Sequence, residues 1–189
     1  MDTLLQAISS ATPLWQQSLT HAGWHHGVVT AAYLGAAWLC LMNDHLARAA
    51  HEPATGWRVS VAILCLLGAN TLLQGDLWLV LALRAMAKLQ GWYDARRTVQ
   101  SSVLLMLPIM VLATARWWRA AAAATHRRVF PGGLGLGLLV LLFALRAVSL
   151  HDTDAVLNLR VLGLSLGRWF EFGAIGVLVR VAWRGLHLR

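Results

Sequence analysis

Apolar residues come in five stretches, at 27–43, 59–83, 99–115, 132–150 and 162–183, separated by short polar or breaker-rich segments. At 1.5 Å of rise per residue, each is long enough or nearly so to cross a hydrocarbon core of about 30 Å as a helix. The pattern therefore predicts an all-α membrane bundle of about five crossings, with the short first and third stretches nearly upright or thinning the bilayer. The loops carry ordinary stops: Glu52-Pro53-Ala54-Thr55-Gly56 after the first stretch and Pro131-Gly132-Gly133 at the start of the fourth. Pro108 falls inside the third and predicts a kink. A break at Gly75 would lay 76–97 along the interface and keep the count at five; four crossings is the alternative. Gly133, Gly135 and Gly137 allow close helix approach in the fourth stretch.

Before the first stretch, Leu4, Leu5, Ile8, Leu14, Trp15 and Leu19 alternate with polar residues and are interrupted at Pro13. With no basic leader, this reads as a retained helix lying in the interface rather than a signal peptide. The expected organisation is an interfacial segment over 1–26 and one helical domain over 27–189.

Composition narrows the class. Of 189 residues 58% are hydrophobic and 13% charged, with a mean hydropathy of +0.60, whereas soluble domains carry roughly 25% charged residues. The net charge of +8 would raise the question of nucleic acid, but the basic residues stand singly or in pairs at the ends of apolar stretches, as in Arg96-Arg97 and Arg127-Arg128. There they anchor helices to headgroups, so nucleic-acid binding is not expected. Cys40 and Cys65 lie within apolar stretches, where thiols behave as small hydrophobes. Trp24, Trp57, Trp92, Trp117, Trp118 and Trp183 mark stretch ends, as expected of rings that favour the headgroup level.

With five crossings, the N-terminus shares a face with Arg84, Lys88, Arg96, Arg97 and Arg160, while Arg48, Arg58, Arg116, Arg119, Arg127, Arg128, Arg184 and Arg189 lie opposite. The basic excess favours N-out, C-in.

The candidate chemistry gathers at one depth, near the outward face. Asn70, Gln74 and Asp76 lie late in the second stretch, Arg146, Ser149 and His151 end the fourth, Asp154 follows, and Arg168 and Glu171 begin the fifth. Ionisable groups at that depth are expected to pair or to line a wet cavity; the pairings expected are Asp76 with Arg146, and Glu171 with Arg168 or Arg146. Two readings stay open: structural pairs that fix helix packing, or a site for a small ligand, lipid headgroup, quinone or proton relay between helices. His21 and His25, four apart, would share a face if helical and with His151 could hold a metal or haem. Ser149, His151 and Asp154 have the residue types of a serine hydrolase but neither its spacing nor a GxSxG loop. Trp92, Tyr93, Arg96 and Arg97 form an aromatic and basic lipid anchor that could also grip a phosphate.

The segments Asn70–Gln100 and Leu145–Val177 resemble those of small uncharacterised polytopic inner-membrane proteins of Gram-negative bacteria, carried by Asn70, Gln74, Asp76, Trp92, Tyr93, Arg96, Arg97, Gln100, Arg146, Ser149, His151, Asp154 and Glu171. The resemblance implies a location and an architecture and no reaction. The expectation is an accessory, assembly or small-ligand-binding membrane protein, in contact with lipids and with a partner subunit or a second copy. The alternative is a membrane enzyme or redox protein using the same polar cluster.

Overall fold

The structure, a computed structural model, describes residues 2–21, 23–52, 54–93, 109, 112–113, 116, 130–148 and 157–187, with side chains omitted at 2, 130–134 and 145–148. Among these residues the chain is all-α apart from one two-stranded hairpin. Six helices follow in order: α1 (Asp2–Thr20), α2 (Trp24–Ala49), α3 (Thr55–Leu73), α4 (Gly75–Leu89), α5 (Phe130–Val148) and α6 (Leu166–His187). The hairpin pairs β1 (Arg160–Val161) with β2 (Leu164–Ser165) just before α6.

Helix α2 is the central post. One face carries Val29, Tyr33, Ala36, Ala37, Cys40 and Ala47, all buried, and mostly small side chains let neighbours approach closely. Helix α3 runs antiparallel to it: the Thr30 hydroxyl reaches the Gly68 carbonyl at 3.4 Å near one end, and Arg58 meets Asp44 at 3.0 Å near the other. A Cβ at Gly68 would sit 3.2 Å from Tyr33 Cβ, so the glycine sets this spacing. Helix α6 runs parallel to α2, because Tyr33 bonds Glu171 while Asn43, ten residues on, bonds the carbonyl of Ala182. Helix α5 leans on α6 at Gly135, where an added Cβ would lie 3.1 Å from the Ala174 carbonyl oxygen. The close approach expected of the fourth-stretch glycines thus holds at Gly135; Gly137 has open space.

The first stretch is longer than its apolar run. Helix α2 has 26 residues, about 39 Å, because it takes in Trp24, His25 and His26 before the apolar run and continues from Asp44 to Ala49 after it. The second stretch is two helices. Gln74 adopts left-handed φ 49° and ψ 43°, ending α3 and starting α4, and Asn70 Oδ1 fills the space where a Gly75 Cβ would stand. Helix α4 then packs along α1, whose C-terminal half is fastened to the break: the Trp15 indole donates to the Leu73 carbonyl at 2.7 Å and the Ser18 hydroxyl to Gln74 Oε1 at 2.6 Å. The fifth stretch begins late, since 160–165 form the hairpin and its turn, with Leu162 and Gly163 both at positive φ as a two-residue turn requires. Only residues 109, 112, 113 and 116 of the region around the third stretch are described; they are helical and exposed. Trp57 is 8% exposed and belongs to the core; Trp24 and Trp183 are exposed.

Among the described residues one helix, Thr55–Leu73, is long and apolar enough by itself to cross a membrane. Large apolar side chains also stand exposed on other helices, among them Leu34 and Trp38 on α2, Leu138 on α5 and Phe170 and Val177 on α6.

Candidate functional site: a charged pocket at one end of the bundle

Helices α2, α4 and α6 all begin at the same end of the molecule, and each contributes a polar side chain from its first turn: His25, Asp76 and Arg168. Together with Arg160, Ser165 and Asn158 from the hairpin region they line an open pocket of about 710 Å³, whose apolar wall comes from Leu77, Val80, Leu157 and Leu164. The first turns of α2, α4 and α6 carry the positive ends of their helix dipoles, beside the C-terminus of α3. Asp76, in the first turn of α4, is favoured there for the same reason.

Beneath the pocket lies a hydrogen-bonded chain. Arg168, its side chain 11% exposed, donates to Glu171 Oε2 at 2.8 Å. The other carboxylate oxygen of Glu171 accepts from the Tyr33 hydroxyl at 2.7 Å. Both Glu171 and Tyr33 are 3% exposed. A second Arg168 nitrogen lies 3.3 Å from His26 Nδ1, which is itself 3.2 Å from the Thr71 carbonyl oxygen. One ring nitrogen cannot accept from the guanidinium and donate to the carbonyl at once, so the His26 tautomer selects one of these bonds. Both His25 and His26 precede the apolar stretch starting at residue 27. Partial burial, first, and then the charge of neighbouring His26, Arg168 and Arg160 lower the His25 pKa; burial and Arg168 lower that of His26 against the opposing pull of Thr71, Asp76 and Glu171. The imidazoles are thereby biased toward neutrality.

The sequence-selected residues fall unevenly on this geometry. The Arg168–Glu171 pairing forms, Asp76 and Arg168 line the pocket, and Gln74 is 8% exposed at the break beneath it. Ser149, His151, Asp154, Arg96 and Arg97, and the side chain of Arg146, lie outside the described residues, and with them the pairings that use Arg146. Trp92 and Tyr93 follow α4, with Trp92 bonded to Gln90 and the Lys88 ammonium 5.5 Å from the Tyr93 ring centroid. The metal reading of His21 and His25 loses its geometric basis. Gly23, in extended conformation, precedes α2, so His21, in the turn after α1, and His25, in the first turn of α2, share no helix and the i, i+4 register fails. The His21 ring bonds the Gln17 carbonyl at 2.8 Å, and among the described residues no three His, Cys, Asp or Glu side chains converge as metal ligands.

A second polar cluster, absent from the candidates, closes the opposite end of α2. Asp44, 1% exposed, pairs with both Arg48 and Arg58. Adjacent Asn43 donates to the carbonyls of Leu39 and Ala182, both at 2.9 Å, while its Oδ1 has no hydrogen-bond partner among the described residues and rests against Gly185. The adjoining Asn43-Asp44 dipeptide at the edge of an apolar stretch was the available signal. His26 and Tyr33 gave a weaker one, since a single tyrosine in an alanine-rich run has no distinguishing pattern.

Comparison with protein families, curated proteins and solved structures found no match to this chain.

Proposed function

We propose that this chain is a multi-pass protein of a bacterial inner membrane, N-out and C-in, that binds a small ligand in the pocket at its outward end and works as an accessory or assembly protein beside a partner subunit or a second copy. The observation that carries this reading is the pocket itself: charged and polar groups on the first turns of three helices, at one end of a bundle whose sides expose large apolar residues. A ligand site between bundle helices with few convergent polar groups is a recurrent arrangement, and an apolar exterior around a polar-tipped interior suits lipid as solvent. The two polar clusters support the same reading, for His26 and Asp44 stand about 27 Å apart along α2 at 1.5 Å per residue, close to a hydrocarbon thickness. The parallel course of α2 and α6 supports an odd number of crossings, hence five in preference to four. Helices α1 and α4 then form an amphipathic pair at the outward interface.

The test is to narrow the pocket without touching its charges. Wild type and Val80→Trp are purified in mild detergent, and bound small molecules are identified by mass spectrometry after extraction. The expected result is a stoichiometric organic ligand in wild type that is lost in a folded Val80→Trp variant. A ligand retained in full by Val80→Trp, or a wild type that carries none and is not stabilised by any of a broad set of lipids and metabolites, overturns the reading.

A further inference from the structure

Charges of both signs face this pocket. Arg160 and Arg168 stand on the hairpin and on α6, while Asp76 stands on α4. Arg168 is held by Glu171, but among the described residues neither Arg160 nor Asp76 has an ion-pair partner, and both border the same cavity as four aliphatic side chains. A simple anion would use the arginines and the Ser165 hydroxyl while meeting repulsion from Asp76. A simple cation would meet the reverse. A ligand bearing an anion and an ammonium a few bonds apart satisfies all of them: guanidinium N–H groups match phosphate oxygens, a carboxylate matches an ammonium, and Leu77, Val80, Leu157 and Leu164 match an apolar tail.

We infer that the pocket recognises a phosphate–ammonium zwitterion of the ethanolamine-phosphate type, with the phosphate on Arg160, Ser165 and Arg168 and the ammonium on Asp76. This inference rests on the ligand-binding reading above. The same head chemistry occurs in a bilayer phospholipid and in a free water-soluble phosphoethanolamine. The neutral bias of His25 fits a mouth where the arginines, not the imidazole, carry the charge.

The test measures binding to purified full-length protein in detergent by native mass spectrometry, using phosphatidylethanolamine, phosphatidylglycerol and N-acetyl-phosphatidylethanolamine of equal chain length. The expected order is phosphatidylethanolamine tighter than either ammonium-free lipid by about tenfold, the scale of one charge-assisted contact. Asp76→Asn is expected to erase that preference, and Arg160→Gln to weaken all three lipids by about tenfold. The comparison among lipids on wild type needs no variant, so a folding defect in Asp76→Asn leaves the inference open to refutation. Equal or tighter binding of phosphatidylglycerol to wild type overturns the zwitterion assignment, and the pocket reading survives only if Val80→Trp still blocks that binding. Binding unaffected by Val80→Trp overturns the pocket reading as well. Free phosphoethanolamine that displaces the lipid identifies a soluble ligand of the inferred chemistry; failure to displace a preferred phosphatidylethanolamine identifies the membrane lipid.

Discussion

The most consequential single contact is between Arg168 and Glu171, since a buried charge stripped of its partner is far more costly than the pair is favourable. Glu171→Leu is expected to lower stability by about 3–5 kcal/mol, measured as unfolding in detergent, whereas Tyr33→Phe removes one hydrogen bond from the same carboxylate at about 1 kcal/mol. Sequence spacing made this pair legible because both residues interrupt an apolar stretch three positions apart. It did not reveal Tyr33 or His26, whose roles depend on how three separate helices converge. His26 supplies a pH dependence. Its pKa in the folded protein lies below the ordinary 6.5, so the native state binds protons less readily than the unfolded chain, and its stabilising contribution is present above 6.5 and lost as pH falls through the lowered value. Thermal unfolding followed from about pH 8 to about pH 5 is expected to show this decline, and His26→Gln to flatten it.

Among the helices, glycines decide distances. Gly68→Leu would drive a side chain into Tyr33 and separate α2 from α3, with an expected cost of about 1–3 kcal/mol from overpacking; retention of wild-type unfolding temperature would show that the antiparallel pair tolerates a wider spacing. Gly185→Ala would collide with Asn43 Oδ1 and strain the bond from Asn43 to Ala182. The helices themselves were largely readable, because apolar run length is a direct signature of a spanning or buried helix. Their ends were not. Helix α2 runs on through Asn43 and Asp44 because tertiary partners satisfy those polar groups, and the stretch 59–83 splits at Gln74 although its hydropathy is continuous. The break falls where Gly75 gave the local sign of one, and is held by Asn70 and by the grip of α1 on Leu73 and Gln74, for which the sequence carries no local pattern. The failure of the His21–His25 register has a local cause instead: Gly23 interrupts the helix between them.

At the scale of the whole molecule, the parallel pairing of α2 with α6 makes a claim about sidedness. The start of α2 and the hairpin belong to one end of the bundle, and the end of α6 to the other, with Arg48, Arg58 and Arg184 near the latter. In the proposed orientation, a cysteine introduced at Asn158 is expected to react with an impermeant thiol reagent added to intact spheroplasts, and one introduced at His187 only after permeabilisation. The reverse pattern would invert the topology and turn the pocket toward the cytoplasm; labelling of both from outside would show that α2 and α6 do not both cross.

The hairpin turn adds a kinetic consequence. Leu162, 88% exposed at the tip, and its neighbours Leu159 and Val161 form an oily spur beside the pocket mouth. In the proposed membrane placement, and for a ligand tethered to the bilayer by its own hydrocarbon chains, such a spur would keep the mouth at the depth where headgroups travel. Encounter then becomes a search in two dimensions at the high local concentration of a leaflet, and a contact set too weak to capture the same headgroup from dilute solution suffices to keep the pocket occupied.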